Sequence, residues 1–251
     1  MGLFMSVGAC GEIITETISY QMHGQNFGGY LAYDEKRGKR PGILIVHEWW
    51  GHNDYVRERA EQLAREGYTA LALDMYGVGK KADHPDEAAG LMQAVLNDMP
   101  AAEQRFDKAY ELLNNHKATR KNCIAALGYC FGGAMVLHMA RLGAPLKAVV
   151  SYHGALGSKL ADGRKPDIRG KIQVYTGGAD PMISAEQVAA FTREMFEAGA
   201  DFSLQVYKGA RHSFTNPGAD AKAGQFAMPA AYDKAADQDS WQKTLALLKT
   251  L

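Results

Sequence analysis

The stretch Leu-Gly-Tyr-Cys-Phe-Gly-Gly, residues 127–133, joins an apolar run to a helical pattern. The run Cys-Ile-Ala-Ala-Leu at 123–127 is typical of a buried strand, and the residues that follow the glycines, 134–140, are typical of a helix. Between them, G-x-C-x-G-G is the cysteine form of the strand–turn–helix motif G-x-S-x-G, whose small neighbours allow a strained turn to project its central side chain. The start of the helix would favour an anionic sulfur at Cys130. We therefore interpret Cys130 as a candidate nucleophile; the alternative is a small buried side chain in a glycine-rich turn.

Composition and charge narrow the class of protein. The 251 residues, 47% of them apolar, suit one large α/β domain. The 28 basic residues balance 28 acidic ones, so the charge indicates no binding to nucleic acid or to an anionic membrane. Three cysteines are few and odd in number, which argues against a disulfide framework and favours a reducing compartment. We expect a soluble, cytoplasmic protein, since no apolar run reaches the roughly 20 residues that span a bilayer.

Two short patterns near the N-terminus resemble targeting signals. Residues 1–6 match the acylation pattern M-G-x-x-x-[ST], and residues 7–10 resemble a lipoprotein cleavage site that ends at Cys10. No Lys or Arg precedes Cys10, and the apolar stretch before it is short. We interpret both patterns as chance matches.

Strand and helix patterns alternate along the chain. An opening antiparallel hairpin is predicted from residues 12–20 and 29–33. Further strands are predicted at 41–46, 69–73, 123–127, 146–151, 171–175 and 202–206. Helices are predicted at 53–67, 86–98, 101–115, 134–142 and 185–198, with an irregular stretch at 215–229 before a last helix that contains Trp241. This order predicts a mostly parallel, twisted sheet with an N-terminal antiparallel hairpin and helices on both faces, in a single domain over residues 1–251.

Reactive side chains follow several of these strands at the point where each strand ends. Glu48 follows the strand at 41–46, and Asp74 follows the next strand; Cys130, Asp180 and His212 follow three later ones. The ligand site of a parallel sheet lies beyond the C-terminal ends of its strands. We therefore expect these side chains to lie around one site.

Cys130, Asp180 and His212 also occur in the chain order nucleophile, acid, histidine that α/β hydrolases use. A thiol nucleophile needs a base, and that base needs a carboxylate that fixes its tautomer. Alternatives exist for each residue: Asp180 could cap the helix that follows Pro181, and His212 could be a surface histidine. His153 is the rival base, but it precedes Asp180 and so breaks the order.

Acyl transfer also requires hydrogen-bond donors for the oxyanion. In this arrangement one donor is the backbone N–H after the nucleophile, here that of Phe131, and the other comes from the loop after an earlier strand, here Trp49. No metal site is indicated, because His47, Glu48 and His52 lack the helical spacing H-E-x-x-H. We expect neither a metal ion nor a cofactor.

These motifs resemble those of the dienelactone hydrolase family, cysteine-dependent members of the α/β-hydrolase fold. The resemblance covers nearly the whole chain and rests on HEWWG at 47–51, DMYG at 74–77, GYCFGG at 128–133, G-x-x-D at 177–180 and RHSF at 211–214. It implies a triad of Cys130, His212 and Asp180. It also implies that Glu48 holds the resting thiol and accepts its proton when substrate displaces it; the alternative is a purely structural Glu48, for instance one paired with a nearby arginine. We place Trp50, Tyr76, Tyr129 and Phe214 in the substrate pocket.

One departure from the family bears on the substrate. Dienelactone-cleaving members hold the substrate carboxylate with arginines, but the corresponding regions here, 77–80 and 213–216, contain none. Lys80 or Lys81 is a poor copy of a planar guanidinium. The resemblance therefore implies the fold and the hydrolytic chemistry, and leaves the dienelactone substrate open.

We predict a hydrolase of the carboxymethylenebutenolidase type that cleaves a small ester or lactone through an acyl-enzyme. The alternatives are a thioesterase or acyltransferase with the same triad, or a catalytically silent protein of this fold that binds an apolar ligand. The expected partner is the small-molecule ester or lactone, and the protein is expected to be a monomer or a homodimer.

Overall fold

A central sheet contains every named strand in the described part of the chain. The computed structural model describes residues 12–157, 160 and 165–251, so the two N-terminal targeting patterns lie outside the described residues. The strands are β1 (Ile13–Met22), β2 (Gln25–Asp34), β3 (Arg40–Val46), β4 (Thr69–Leu73), β5 (Thr119–Tyr129), β6 (Ala148–Tyr152), β7 (Lys171–Gly177) and β8 (Phe202–Tyr207). Their spatial order is β1-β2-β4-β3-β5-β6-β7-β8. β1 and β2 form the predicted antiparallel hairpin, and β3 to β8 run parallel.

Helices cover both faces of this sheet. They are α1 (Asp54–Arg65), α2 (Pro85–Leu96), α3 (Met99–Asn115), α4 (Phe131–Arg141), α5 (Ala185–Glu197), α6 (Ala219–Phe226) and α7 (Lys234–Leu248). Successive strand residues point to opposite faces. In β3, Leu44 and Val46 accordingly join the core under α3, α4 and α5, whereas Ile43 and Ile45 join the core under α1 and α7. The predicted α/β fold, with its mostly parallel sheet, is confirmed.

One predicted irregular segment is wrong. Helix α6 lies inside the stretch 215–229, where the sequence shows no apolar periodicity. Ala219 is the only residue that this helix buries, and glycines at 218 and 224 further weaken its helical signal. Such a short helix is stabilised by its surroundings and not by its own pattern.

The sequence also predicted a single domain and no segment that spans a membrane. All the named strands lie in one sheet, which supports a single domain, although one domain over residues 1–251 stays a prediction. Within the described residues, no helix combines the length and the apolar character needed to cross a membrane.

Glycines allow α4 to pack against the ends of the central strands. A Cβ atom at Gly132 would lie 2.2 Å from the Val46 carbonyl oxygen at the end of β3. A Cβ atom at Gly128 would lie 2.1 Å from the Gly132 carbonyl oxygen. The Gly132 N–H also donates a hydrogen bond to the His47 carbonyl at 3.1 Å. The first turn of α4 therefore contacts backbone that cannot move aside as a side chain could.

Replacing Gly132 with alanine is expected to lower the free energy of unfolding by about 3 kcal/mol, because the new methyl group overlaps backbone atoms. The matched control is Gly90→Ala in α2, where nothing lies within 4 Å of the added Cβ. That change should raise stability by about 0.5 to 1 kcal/mol, since alanine is the better helix former. Urea unfolding of both variants measures the difference. Equal stability of the two variants would contradict the close approach at Gly132.

Candidate active site

Cys130 lies in the turn between β5 and α4 in an uncommon backbone conformation. Its φ is 53° and its ψ is −115°, in the region that non-glycine residues rarely adopt. Such conformations cost about 1 to 3 kcal/mol each and are found mostly at functional sites. The half-buried side chain directly precedes the N-terminus of α4. The structure therefore places Cys130 where the motif predicts it.

Asp180 and His212 form a buried pair beyond β7 and β8. The distance from His212 Nδ1 to Asp180 Oδ2 is 2.7 Å, and the residues are 6% and 5% exposed. The Met182 N–H donates to Asp180 Oδ1 at 2.8 Å, which fixes the carboxylate from its other side. Both alternatives from the sequence are wrong: His212 is not on the surface, and the residue that caps α5 is Ser184, not Asp180.

The second ring nitrogen of His212, Nε2, is not used by the bond to Asp180. Nε2 is buried and makes no hydrogen bond in the described part of the chain. Burial alone would lower the pKa of His212, but interactions with Cys130 and with the Asp180 carboxylate outweigh burial and raise the pKa well above its usual value. The imidazole is therefore held by the Asp180 carboxylate through Nδ1, and Cys130 is among the groups that act on its charge.

Glu48 is buried at the end of β3, and both its carboxylate oxygens accept hydrogen bonds. Ser213 Oγ donates to Oε1 at 2.8 Å, and Asn216 Nδ2 donates to Oε2 at 2.7 Å. Burial raises the pKa of Glu48, although these two donors act in the opposite direction. The bonds to Ser213 and Asn216 are compatible with the structural alternative, although no arginine of the described residues forms an ion pair with Glu48. That Glu48 holds the resting thiol stays a prediction.

Phe131 and Trp49, the predicted oxyanion donors, lie on adjoining segments. The bond from the Gly132 N–H to the His47 carbonyl ties the first turn of α4 to the loop that carries Trp49. The Tyr76 hydroxyl donates to the Trp49 carbonyl at 2.9 Å, which holds the peptide between Trp49 and Trp50. Neither Phe131 nor Trp49 donates its own backbone N–H to another group within the residues that the structure describes. Their role as oxyanion donors stays a prediction.

The four predicted pocket residues lie in different surroundings. Tyr76 packs against Phe131 with ring centroids 5.7 Å apart, and Trp50 belongs to a small separate cluster beside α2. Tyr129 and Phe214 are 1% and 0% exposed and belong to the core under α1 and α7. Tyr129 and Phe214 therefore pack in the core next to Cys130 and Ser213 in the chain. Direct contact with a substrate stays a prediction for all four residues.

The two lysines that could replace the missing arginines line a different cavity. Lys80 and Lys81 surround a space of about 400 Å³ together with Arg57 and Asp74, and Cys130 is not among its lining residues. Lys80 and Lys81 therefore do not share this cavity with the cysteine.

Sequence reasoning did not identify Ser213 or Asn216 as part of the site. Ser213 and Asn216 lie 165 and 168 residues from their partner Glu48 in the chain. The available signal was local: a cluster of polar side chains directly after a strand-end histidine. A metal role for His47 is also excluded by contacts, because Nδ1 donates to the Glu48 carbonyl and Nε2 accepts the Met75 N–H. Burial lowers the pKa of His47 to about 4.

Comparison with known proteins identifies the family. The sequence profile of the dienelactone hydrolase family matches residues 27–251. The chain belongs to this family. As a member of the dienelactone hydrolase family with the α/β-hydrolase fold, it is a hydrolase of carboxylic esters or lactones. Within the described residues, no group of three His, Cys, Asp or Glu side chains is arranged to hold a metal ion.

Individual relatives cover nearly the whole chain. It is 27% identical over 249 residues to a Bradyrhizobium protein named "Probable 2-oxo-3-(5-oxofuran-2-ylidene)propanoate lactonase". The matched region covers 94% of this chain and 96% of that protein. It is 26% identical over 239 residues to Protein usf of Aquifex pyrophilus, with 93% of this chain and 97% of that protein covered. The crystal structure of a dienelactone hydrolase-like promiscuous phosphotriesterase from metagenomic libraries is similar to this fold with a TM-score of 0.89, at 32% identity and with 96% and 99% of the two chains covered.

Proposed function

We propose that this protein cleaves a small ester or lactone through a thioester intermediate on Cys130, with His212 and Asp180 completing the triad. The observation that carries the proposal is the geometry of His212. Its Nδ1 is 2.7 Å from Asp180 Oδ2, whereas its buried Nε2 has no hydrogen-bond partner among the described residues and lies beside Cys130. A base held by a carboxylate and facing a nucleophile is the arrangement that acyl transfer requires.

The proposed reaction has two halves. The Cys130 thiolate attacks the carbonyl carbon, and the Phe131 and Trp49 N–H groups stabilise the oxyanion of the tetrahedral intermediate. When the bond from carbon to the leaving oxygen breaks, His212 donates its Nε2 proton to that oxygen and is left neutral. A water molecule then attacks the thioester and gives a proton to Nε2, the carbon–sulfur bond breaks, and the thiolate returns with release of the carboxylic acid.

The surroundings of the triad favour a substrate with no carboxylate beside the scissile bond. Glu48 is the neighbouring acid, and its partners are the neutral donors Ser213 and Asn216. A buried carboxylate with neutral partners disfavours a second anion nearby. The same triad would serve a thioesterase or acyltransferase. We also propose that the protein is cytoplasmic and either a monomer or a homodimer.

The test is hydrolysis of chromogenic short-chain aryl esters, lactones and thioesters by the wild type, Cys130→Ala and His212→Ala. A neutral phosphotriester completes the panel because one structural relative is named for that activity. Equal, background-level rates for all three proteins on esters and lactones would overturn the proposal. A wild type that prefers thioesters would point to the thioesterase alternative.

Glu48 is proposed to accept the thiol proton before attack. Alkylation of Cys130 by iodoacetamide, followed against pH, should therefore be slower in Glu48→Gln than in the wild type near about pH 6 to 7, where the thiol needs a base. The two curves should converge at alkaline pH, where hydroxide removes the proton without help. The control is Glu87→Gln, because Glu87 lies in the exposed first turn of α2. Superimposable curves for the wild type and Glu48→Gln would show that Glu48 does not control the thiol.

A further inference from the structure

His153, the rival base of the sequence analysis, uses both ring nitrogens inside the core. The Cys130 N–H donates to His153 Nδ1 at 3.1 Å as well as to the Tyr152 carbonyl at 3.0 Å. His153 Nε2 lies 2.8 Å from Thr215 Oγ1. A neutral imidazole carries one N–H, and because Nδ1 accepts, the proton resides on Nε2 and is donated to Thr215. His153 therefore has no free nitrogen with which to act as a base.

The surroundings of His153 maintain this neutral form. The residue is 0% exposed. Burial lowers the pKa of His153 well below its usual value, and the positive charges of His212 and Arg59 lower it further. The rings of His212 and Phe214 pack against it edge-on, each with centroids 5.2 Å away. A protonated ring would place a hydrogen on Nδ1 and could no longer accept from the Cys130 N–H.

Thr215, the partner of His153, is itself held from two directions. Its hydroxyl lies 2.7 Å from the hydroxyl of Tyr55 in α1. Its carbonyl accepts a hydrogen bond from Arg59 Nη2 at 2.7 Å, and Arg59 forms a buried ion pair with Asp237 of α7. The loop that contains Thr215 is thus fixed to both helices on this face of the sheet.

His153 and residues in the two segments that it joins have a backbone conformation that non-glycine residues rarely adopt. The φ values are 53° at Cys130, 41° at His153 and 55° at Ser213. Such residues persist only where the surrounding contacts over-determine them. The ring of His153 connects the turn that carries Cys130 to the loop that carries His212, Ser213 and Thr215.

We propose that His153 is a positioning residue that fixes the Cys130 turn relative to the His212 loop, by accepting the Cys130 N–H and donating to Thr215. The proposal rests on the proposed function for its kinetic readout, whereas alkylation of Cys130 reports on the same geometry without hydrolysis. The role differs from that of a base because no proton leaves or enters His153 during the reaction.

His153→Asn and His153→Leu form a matched pair that separates the acceptor from the bulk of the ring. Asn Oδ1 lies as many bonds from the backbone as His Nδ1 and can accept the Cys130 N–H, whereas leucine fills the space without an acceptor. His153→Leu should lower kcat by about 10- to 100-fold with KM within about twofold, since a displacement of about 1 Å can cost this much. It should also change the alkylation rate of Cys130 by about tenfold. His153→Asn keeps the acceptor but is too short to reach Thr215. Its kcat should therefore fall by at most about tenfold and by less than that of His153→Leu, and its alkylation rate should lie between those of the wild type and His153→Leu.

Thr215→Val and Thr215→Ser form a second pair, which tests the donor side if His153→Leu does not fold. Valine keeps the shape of threonine and removes the hydroxyl, so the His153 Nε2–H loses its acceptor; serine keeps the hydroxyl. Thr215→Val should lower kcat by about tenfold at a temperature at which it is folded, and Thr215→Ser should stay near the wild-type value.

The outcomes distinguish this proposal from the proposed function. A wild type that hydrolyses no ester or lactone overturns the proposed function, and the alkylation of Cys130, quantified by peptide mass spectrometry with Cys123 as internal reference, still tests His153. Wild-type kcat and alkylation in folded His153→Leu would overturn the positioning role. An equal loss of kcat in His153→Asn and His153→Leu would also overturn the positioning role. The same holds if the variants of both pairs change only the melting temperature and leave kcat and alkylation unchanged.

Discussion

Replacement of Cys130 by alanine is expected to lower kcat for a short-chain aryl ester by roughly 10⁴- to 10⁶-fold. The reason is that the side chain supplies the atom that bonds to the substrate, and no other thiol of the described residues is near. Cys123 lies in the middle of β5, seven residues before Cys130, where Arg120 Nη2 donates to its sulfur at 2.9 Å. A loss of 10⁴-fold corresponds to about 5.4 kcal/mol of transition-state stabilisation. Steady-state rates at saturating ester concentration measure kcat for the wild type and the variant.

Two further variants give this experiment its controls. Cys123→Ala removes a buried thiol of the same strand and should leave kcat within about twofold of the wild type, because that thiol is far from the turn. His212→Ala should show a loss of similar order to Cys130→Ala, since members of a triad act as one unit. The double variant Cys130→Ala/His212→Ala should then lose little more than either single variant. Residual activity in Cys130→Ala within tenfold of the wild type would contradict a nucleophilic role for this sulfur.

The features that the sequence predicted are those with a local or periodic signal. The G-x-C-x-G-G turn is recognisable because its small residues are dictated by the close contact of Gly132 with Val46 and by the left-handed φ of Cys130. The mostly parallel sheet is recognisable because its strands are continuous apolar runs that are buried on both faces. Because parallel strands end at the same edge of a sheet, the sequence could also predict that Cys130, Asp180 and His212, which follow three of these strands, lie at one edge.

The features that the sequence missed depend on contacts between distant segments. No local pattern states that Glu48 is held by Ser213 and Asn216, because the two segments meet only after the sheet has formed. For the same reason His153 looked like a rival base, since a strand-end histidine has the same sequence signal whether its nitrogens are free or bonded. The short helix α6 was missed because it buries almost nothing of its own. Long-range hydrogen bonds, not helix or strand propensities, set the chemical roles here.

Asp180→Asn is expected to lower kcat by about 10⁴-fold while the fold remains intact. The Met182 N–H requires an acceptor at the position of Oδ1, so the asparagine oxygen will stay there and its NH₂ will face His212 Nδ1. That nitrogen must then accept, and the proton of neutral His212 moves to Nε2. With Nε2 already protonated, the imidazole cannot take a proton from the attacking water.

The pH dependence of the same variant has a definite sign. In the wild type, burial acts to lower the pKa of His212, while interactions with Cys130 and with the Asp180 carboxylate raise it above its usual value. Asp180→Asn removes the carboxylate charge, so the pKa of His212 falls and the imidazolium is lost at a lower pH than in the wild type. Alkylation of Cys130 at neutral pH should therefore become slower, because the thiolate loses its cationic partner. The control is Asp201→Asn, which removes an exposed carboxylate 3.8 Å from Lys171 Nζ. If Asp180→Asn keeps both wild-type kcat and the wild-type alkylation profile, the carboxylate neither orients His212 nor stabilises its charge.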